Sequence, residues 1–515
     1  MKINIIGAGV AGLSAGCYLQ MSGFDTEIFE SHSTFGGLCT SWQRGAYTFE
    51  SGFQWLLGSG ISNPFYHLWS ELIDMEAIPF LNHEIWMEIE LKEHKDVFGD
   101  NTFRMYTNLD RLEKYLISIA PEDISVIKKF ILTIRRIQQY EITALIKTVP
   151  QLLTWYEKMS YIRYLPMLRF LNKVKKETNF SFASKLKSPF LKEAFRMLYD
   201  GDEVPMLVLT MPLAYNDLKG SGYPLGGAVG FVSHLEKKYL ELGGKIRYNT
   251  EVEKILVENK HATGIQLKTG EKISSDISIS AADWHFTVFK ALDGKYVDKN
   301  ILLLKDQKKL AVYNSMFLVS FGVEGVFSEH PHFLRYPLEN TLVSPDGMKY
   351  DRMEVHINNY DTTNTPAGKT VISVSFHTKN ADYWINMRRD ERQRYMAEKQ
   401  AFSEKVKELL EAHLPGIKEK IEVVDVVTPA TFERYTNNWK GSLQGWLPGK
   451  NMMAQSPVKN ELPGLKDFYF IGHWSVPGGG LPVALKSARD VTRIICHDKK
   501  RDFKLLPVKK LSNRE

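Results

Sequence analysis

The sequence predicts an α/β protein in which a parallel-sheet unit is interleaved with a second unit of mixed sheet and helices. Three patterns support this fold class. The chain opens with an apolar strand, a glycine-rich turn and a helix, which is how a β-α-β unit begins. Alternation typical of strands returns at 243–283 and continues to about residue 380. Helical periodicity dominates 109–180, so helices separate the two β-rich stretches.

Each predicted element has a local reason. The first strand covers Lys2–Ile6, and the helix after the turn runs to about Met21, where Gly23 ends it. Asn108 supplies the capping side chain for a helix that breaks at Pro121. The remaining predicted elements are strands at 25–30, 245–248, 253–258, 264–268 and 277–280, a helix at about 390–412, and a last helix beginning near Pro482.

The composition is that of a folded globular protein. The 515 residues include 43% hydrophobic side chains and carry a formal net charge of +6, which excludes disordered and fibrous classes. No stretch reaches the ~18–20 apolar residues of a membrane span. Cys17, Cys39 and Cys496 cannot form a disulfide framework, and the N-terminus lacks the basic cluster of a secretory signal. We therefore expect a cytoplasmic protein.

The segment Gly7-Ala8-Gly9-Val10-Ala11-Gly12 predicts a dinucleotide-binding turn of the Rossmann type. Gly7 permits the tight turn, Gly9 leaves room for a pyrophosphate, and Gly12 lets the helix pack closely on the strand. Glu30 lies eighteen residues after Gly12, where a carboxylate accepts hydrogen bonds from ribose hydroxyls. An acid there disfavours a ribose phosphate, so FAD or NAD fits better than NADP.

A second glycine-rich turn, from Pro477 to Pro482, precedes the last helix. The start of that helix can direct N–H groups toward a flavin edge and stabilise negative charge on the reduced ring; a plain turn is the alternative. His330 and His332 are expected in a loop. The sequence shows no metal-ligand spacing, no nucleophile elbow and no phosphate loop, so no metal site is predicted.

Several motifs occur in one order along the chain. They are Gly36-Gly37 followed by 38–42, Phe49-Glu50-Ser51-Gly52, Tyr223-Pro224-Leu225-Gly226-Gly227, 251–255, Arg434-Tyr435-Thr436-Asn437-Asn438-Trp439-Lys440-Gly441-Ser442 with Gly445-Trp446, and 470–474 running into 477–482. Together they resemble the FAD-dependent amine-oxidase superfamily, and within it the branch of phytoene desaturases, carotenoid isomerases and retinol saturases. The resemblance extends from residue 1 to about 497.

The resemblance implies noncovalent FAD and a set of cofactor-binding residues. That set is Gly7, Gly9, Ala11, Gly12, Glu30, Ser31, Gly37, Leu38, Val252, Gly472, His473, Leu481, Pro482 and Val483. It also implies an FAD-binding domain made of 1–75, 215–285 and 440–500, a substrate and membrane-facing domain made of 76–214 and 286–439, and a basic tail at 501–515. Only one dinucleotide fingerprint exists, so NAD(P) is expected only as a transient electron partner.

The implied activity is an FAD-dependent oxidoreductase that desaturates or saturates a carbon–carbon bond of a carotenoid, a retinoid or a similar apolar isoprenoid. Two alternatives remain open. One is a flavin-dependent cis–trans isomerase of polyenes, and the other is a non-enzymatic escort-like protein that binds prenyl lipids. The intact fingerprint and the glycine-rich closing segment count against the escort-like protein.

Two residues depart from the pattern of this branch. Leu38 stands where many members have an arginine, so a phosphate or ribose contact is either absent or made elsewhere, for example by Arg44. His473 stands where many members have an acid. It is the one candidate for a catalytic proton donor or acceptor, and the alternative is a histidine that only hydrogen-bonds the cofactor. The other catalytic residues remain unknown from sequence.

Positive charge is concentrated between residues 128 and 187, where thirteen Lys or Arg residues face only three acids. Many aromatic residues share this stretch. Such a composition indicates either an interfacial membrane contact, with Trp155 and Tyr156 at the boundary and Lys173, Lys175 and Lys176 near the headgroups, or an ordinary solvated helical face. No nucleic-acid-binding motif is present, so nucleic acid is not an expected partner. The oligomeric state is not predicted.

Overall fold

The structure of the protein, a computed structural model, describes residues 1–199, 203–448 and 458–505. The strands are β1 Lys2–Ile6, β2 Asp25–Phe29, β3 Ser41–Arg44, β4 Tyr47–Glu50, β5 Phe80–Leu81, β6 Ile85–Glu90, β7 Thr102–Tyr106, β8 Tyr223–Pro224, β9 Lys245–Arg247, β10 Val252–Glu258, β11 His261–Leu267, β12 Lys272–Ser274, β13 Ile277–Ser280, β14 Ser315–Glu324, β15 Phe333–Val343, β16 Lys349–Asn358, β17 Lys369–Thr378, β18 Ile421–Val427 and β19 Phe468–Phe470.

The α-helices are α1 Val10–Met21, α2 Tyr66–Trp69, α3 Leu109–Ile119, α4 Ile124–Gln138, α5 Thr143–Ile146, α6 Trp155–Ser160, α7 Leu165–Lys176, α8 Asn179–Ala183, α9 Pro189–Arg196, α10 Met206–Asp217, α11 Gly227–Glu241, α12 Lys299–Lys305, α13 Ala381–Asp390, α14 Arg392–His413, α15 Ile417–Lys420, α16 Pro429–Thr436 and α17 Leu481–Asp498.

Five parallel strands form the first sheet, in the order β19-β13-β1-β2-β9. Read from the β9 edge and numbered by their order along the chain, these five strands lie in the order 3-2-1-4-5. This arrangement binds dinucleotides at the point where the strand order reverses. The strands read as short apolar runs because both faces of the sheet are covered: α1, α11 and α17 pack on one face, and the antiparallel sheet β10-β11-β12 packs on the other. The predicted α/β fold class is confirmed.

The second sheet has seven strands in the order β18-β14-β17-β16-β15-β6-β7. Its neighbours are antiparallel except for β15 and β6. Helices α3, α4 and α7 to α10 share one apolar core beside β6 and β7, and α13 and α14 pack on the other part of the sheet. Because β6 and β7 join strands from residues 315–427, we propose the two-domain division at 1–75, 215–285 and 440–500 against 76–214 and 286–439.

Most of the predicted elements are confirmed, with two differences. The Asn108 side chain accepts a hydrogen bond from the Arg111 N–H at 2.9 Å, so it caps α3 as predicted. The helix predicted at about 390–412 is confirmed as α14, Arg392–His413, whereas the separate helix α13 before it was not predicted; Glu391, with φ −133°, divides the two. The strand predicted at 264–268 begins earlier, at His261.

The beginning of the basic tail is packed against the first sheet's helices. The Arg501 guanidinium lies 4.6 Å from the centre of the Phe24 ring, and the Phe503 ring lies 5.6 Å from that of Tyr18. These contacts give the first tail residues a packing role as well as a charge. Residues 506–515 of the predicted tail lie outside the described residues.

Candidate active site

The dinucleotide turn lies at the carboxyl edge of the parallel sheet, where β1 and β13 end side by side. Gly7 has a φ of +97°, and a Cβ placed on it would lie 3.6 Å from the Ala281 carbonyl oxygen. A Cβ on Gly12 would overlap the Gly7 carbonyl oxygen, so α1 packs as closely as the fingerprint requires. A Cβ on Gly9 would meet nothing nearer than the Gly36 oxygen at 3.8 Å. The space beside Gly9 is therefore open to a ligand.

Glu30 is held across this turn by backbone donors. One carboxylate oxygen accepts from the Ala8 N–H at 2.7 Å, and the other accepts from the His32 N–H at 3.0 Å and from the Ser31 hydroxyl at 3.2 Å. The side chain is buried at the end of β2. Thr250, two residues before Val252, donates its N–H to the Glu30 carbonyl at 2.7 Å. The structure therefore brings the 248–252 segment beside the acid, as a bound adenosine would need.

The Gly36-Gly37 loop closes over the turn, because the Gly36 N–H donates to the Ala8 carbonyl at 3.0 Å. Leu38 packs against the apolar group of Met316, Leu318 and Phe432 on the second sheet's side. An apolar residue suits that contact better than an arginine. Arg44 donates to Asp425 at 2.9 Å, so this arginine has an ion partner within the protein.

The closing segment meets the first helix at the same sheet edge. A Cβ on Gly472 would lie 3.8 Å from the Ala11 side chain. Burial lowers the pKa of His473 to about 4, so its imidazole is neutral at physiological pH. Its Nε2 is buried and has no hydrogen-bond partner among the described residues. Gly480 precedes α17, and no side chain caps the first turn at Leu481, Pro482 and Val483.

Four tryptophans, three from two of the sequence motifs and one from the segment after β13, converge behind the closing segment. Trp446 lies 5.0 Å from Trp474 and 5.2 Å from Trp284, between ring centres, and Trp439 lies 6.4 Å from Trp474. The Trp446 indole donates to the Trp474 carbonyl at 3.0 Å. The sequence did not single out Asp283. Its carboxylate accepts from the Trp439 N–H at 2.9 Å, and burial raises its pKa to about 7.

Two further motifs meet around Glu50. Its carboxylate accepts from the Ala228 N–H at 2.8 Å, and burial raises its pKa to about 7. The Tyr223 hydroxyl donates to Asp361 at 3.1 Å. Asp361 also accepts from the Gly226 N–H at 2.9 Å and was not identified from sequence. This network joins the β4 motif to the start of α11.

A group of histidines in the second unit was also missed. His332 lies in a loop, as predicted, but it is buried and its ring stacks on His83 at 3.6 Å between centres. Gln54 contacts His356 at 3.0 Å. Burial lowers the pKa of His83 and His356 to about 4, so both are neutral near pH 7. Within the described parts of the chain, no three His, Cys, Asp or Glu side chains are placed to hold a metal.

Comparisons with known proteins place this site in context. A family model for an NAD(P)-binding Rossmann-like domain matches residues 5–72. Over 98% of this chain and 96% of the relative, the sequence is 24% identical to a 4,4'-diapophytoene desaturase (4,4'-diapolycopene-forming) of Methylomonas sp. A 4,4'-diaponeurosporene oxygenase of Staphylococcus aureus is 23% identical, with 95% and 97% covered.

The predicted resemblance to carotenoid desaturases of the FAD-dependent amine-oxidase superfamily is confirmed by these relatives. Solved structures agree in fold. An oxidoreductase from Methanosarcina mazei superposes with a TM-score of 0.57 at 17% identity, covering 96% of this chain and all of that one. A putrescine oxidase triple mutant gives a TM-score of 0.57 at 14% identity, covering 96% and 99%. The sequence relatives support the predicted FAD-dependent oxidoreductase, and these structures support its fold.

The residues present fit FAD. Gly9 leaves open the space that a diphosphate needs, and Glu30 lies where it can accept from an adenosine ribose. The unpartnered Nε2 of His473 is a buried polar atom that a cofactor oxygen or nitrogen would satisfy. We propose that the cofactor-binding set predicted from sequence is correct, and that His473 positions the cofactor as a neutral hydrogen-bonding group.

Proposed function

We propose that the flavoprotein desaturates a carbon–carbon bond of a carotenoid resembling diapophytoene. The observation that carries this proposal is similarity to a diapophytoene desaturase along almost the entire chain, combined with a dinucleotide site that fits FAD. Bound FAD would accept the two electrons of each desaturation as a hydride. The protein would bind and orient the polyene and keep water away from the reacting carbons.

The reaction direction can be tested with the flavin itself. The oxidised holoenzyme is mixed anaerobically with a diapophytoene-type carotenoid, and the flavin absorbance near 450 nm is followed. Desaturation predicts bleaching, then recovery when a quinone is added. If the oxidised flavin stays unbleached while polyenes or retinoids reoxidise the reduced flavin, the enzyme is a saturase. If neither state reacts but the double-bond geometry of the polyene changes, it is an isomerase.

Terminal oxygenation is a second candidate, because the Staphylococcus aureus oxygenases match this chain almost as well as the desaturase does. Product mass separates the two reactions. Desaturation removes two hydrogen atoms from the carotenoid per step, whereas oxygenation adds oxygen taken from dioxygen. Incubation under labelled dioxygen, followed by mass spectrometry, identifies which reaction occurs.

We propose that the flavoprotein collects this apolar substrate from an anionic bilayer. A docking surface is formed by exposed apolar side chains on one face of α6 and the turn after it: Trp155, Tyr156, Met159 and Ile162. Trp155 is 68% and Tyr156 is 81% exposed. The described residues contain no helix long and apolar enough to cross a membrane.

Nearby lysines and a contact that holds the segment before α6 in place both favour membrane binding by this docking surface. Lys173 and Lys176 are exposed at the end of α7, whereas Lys175 is buried, so the expectation that Lys175 would face headgroups is wrong. Its long side chain packs inward because it falls on the apolar face with Leu171 and Val174. The segment just before α6 contacts α17 of the proposed FAD-binding domain, because the Arg489 side chain donates to the Lys147 carbonyl at 3.1 Å.

Liposome flotation tests this docking surface. We expect binding to require anionic lipid and to weaken with salt. Lys173→Glu with Lys176→Glu should lower partitioning by at least about 30-fold, since each of the two lost cations near such a surface contributes about 1 kcal/mol and the new carboxylates add repulsion. Trp155→Ser with Tyr156→Ser should also release the protein. Lys237→Glu with Lys272→Glu, two exposed lysines of the FAD unit, is the matched control. A protein that stays soluble in every lipid mixture would contradict the proposal.

A further inference from the structure

A cavity of about 370 Å³ lies between the loop that follows Glu30 and the helices α13, α14 and α16. Glu30, Gly37, Leu38 and Ser51 form its wall on the FAD side. A Cβ on Gly37 would lie 3.6 Å from the Gly9 Cα, so the cavity borders the dinucleotide turn. Its other wall comes from the substrate unit. The cavity is therefore a place where the second unit can touch a bound dinucleotide.

The wall from the substrate unit is rich in cations. Arg388 near the end of α13 lines the cavity together with Arg392 and Lys399, which lie seven residues apart on one side of α14. Arg434 on α16 joins them. Together with Arg44, five cations line the cavity against two carboxylates, Glu30 and Asp425. Neighbouring arginines outside the cavity wall, such as Arg389 and Arg394, form ion pairs with nearby acids.

The three cations of α13 and α14 that line the cavity have no such partner. Among the residues that the structure describes, no carboxylate lies within ion-pair distance of Arg388, Arg392 or Lys399. Glu30 is occupied by backbone N–H groups, and Asp425 is shared by Arg44 and Trp42. Five cations against two carboxylates leave the cavity with an excess of positive charge, which a bound anion would balance.

We propose that Arg388, Arg392 and Lys399 form a second phosphate-binding wall that acts on the diphosphate of FAD from the substrate unit. This wall supplies the charge that Leu38 does not provide and that Arg44 shares with Asp425. The FAD diphosphate then lies between the α1 N-terminus on one side and guanidinium and ammonium groups on the other. The inference rests on FAD as the cofactor and does not depend on which carotenoid is the substrate.

The test measures flavin affinity without turnover. Full-length apoprotein is titrated with FAD, and the quenching of flavin fluorescence gives the dissociation constant. We expect the triple variant Arg388→Gln, Arg392→Gln, Lys399→Gln to bind FAD about 10-fold more weakly than wild type at low salt. The matched control Arg389→Gln with Arg394→Gln removes two arginines from the same helices and should bind as wild type does.

Two further measurements test whether the loss of FAD affinity in the triple variant comes from lost phosphate binding. The FAD affinity of wild type should fall with salt more steeply than that of the triple variant. ADP, which carries a diphosphate without the flavin, should compete with FAD in wild type and compete poorly in the triple variant. Equal FAD affinity and equal salt dependence in both proteins would overturn the proposal. A wild-type protein that binds FAD but desaturates no carotenoid would instead refute the proposed function and leave this wall intact.

Discussion

Replacing Gly9 with valine is expected to abolish flavin retention while leaving the fold intact. Gly9 has φ −75° and ψ 178°, an extended conformation that any residue adopts. A Cβ there meets only the Gly36 oxygen at 3.8 Å, so the backbone around Gly9 leaves room for a Cβ. The added methyl groups would instead fill the space of the diphosphate. Purified Gly9→Val protein should contain less than about a tenth of the wild-type flavin, measured by absorbance after denaturation.

The matched variant Gly12→Val separates a cofactor effect from a folding effect. A Cβ at Gly12 would overlap the Gly7 carbonyl, so this change should destabilise the apoprotein by about 3 kcal/mol. Gly9→Val apoprotein should unfold at the wild-type apoprotein's denaturant concentration and gain no stability from added FAD. A yellow, fully loaded Gly9→Val protein would contradict the assignment of this turn to FAD.

Replacing Arg489 with methionine should destabilise the protein by about 3 kcal/mol, because a buried carboxylate would lose its bidentate partner and keep only Lys147, at 3.9 Å, as a cationic partner. Arg489 on α17 donates to both oxygens of Glu71, at 2.6 and 3.1 Å, and both side chains are buried. The Tyr18 hydroxyl on α1 donates to the same carboxylate at 2.9 Å. This bidentate pair therefore ties α17 and α1 to the segment after α2.

The double variant Glu71→Met, Arg489→Met is the control, because it removes both charges together. It should recover much of the stability lost in Arg489→Met, since no buried charge remains unpaired. Urea unfolding of the apoproteins followed by tryptophan fluorescence measures both changes. If Arg489→Met unfolds at the wild-type urea concentration, the pair contributes little and α17 is held by apolar packing alone.

The dinucleotide turn was predictable because its determinants are local. Gly7, Gly9 and Gly12 act within one strand-turn-helix unit, and Glu30 lies at the end of the next strand. The same holds for the Asn108 cap and for the boundaries of α1, which depend on neighbouring residues. The resemblance to a known branch extended this local reading to the closing segment, whose Gly472 the structure brings against Ala11.

Contacts between distant segments were not predictable in this way. The sequence did not indicate that Asp283 and Asp361 hold motifs from other parts of the chain, or that His83 and His332 stack in the interior. Lys175 was expected at the surface because its neighbours in sequence are lysines, yet the helical face on which it falls is buried. Side-chain direction depends on which face of an element meets a neighbour, and composition does not carry that information.

The dinucleotide turn, the order of the α/β elements and the family resemblance therefore follow from the sequence. The tertiary structure decided the neighbours of Leu38, the charge state of His473 and the placement of Arg388, Arg392 and Lys399 in the cavity beside the dinucleotide turn. The physical reason is the range of the interactions. Turns and caps are set by residues a few positions apart, whereas burial, pKa shifts and charged walls arise only when segments hundreds of residues apart pack together.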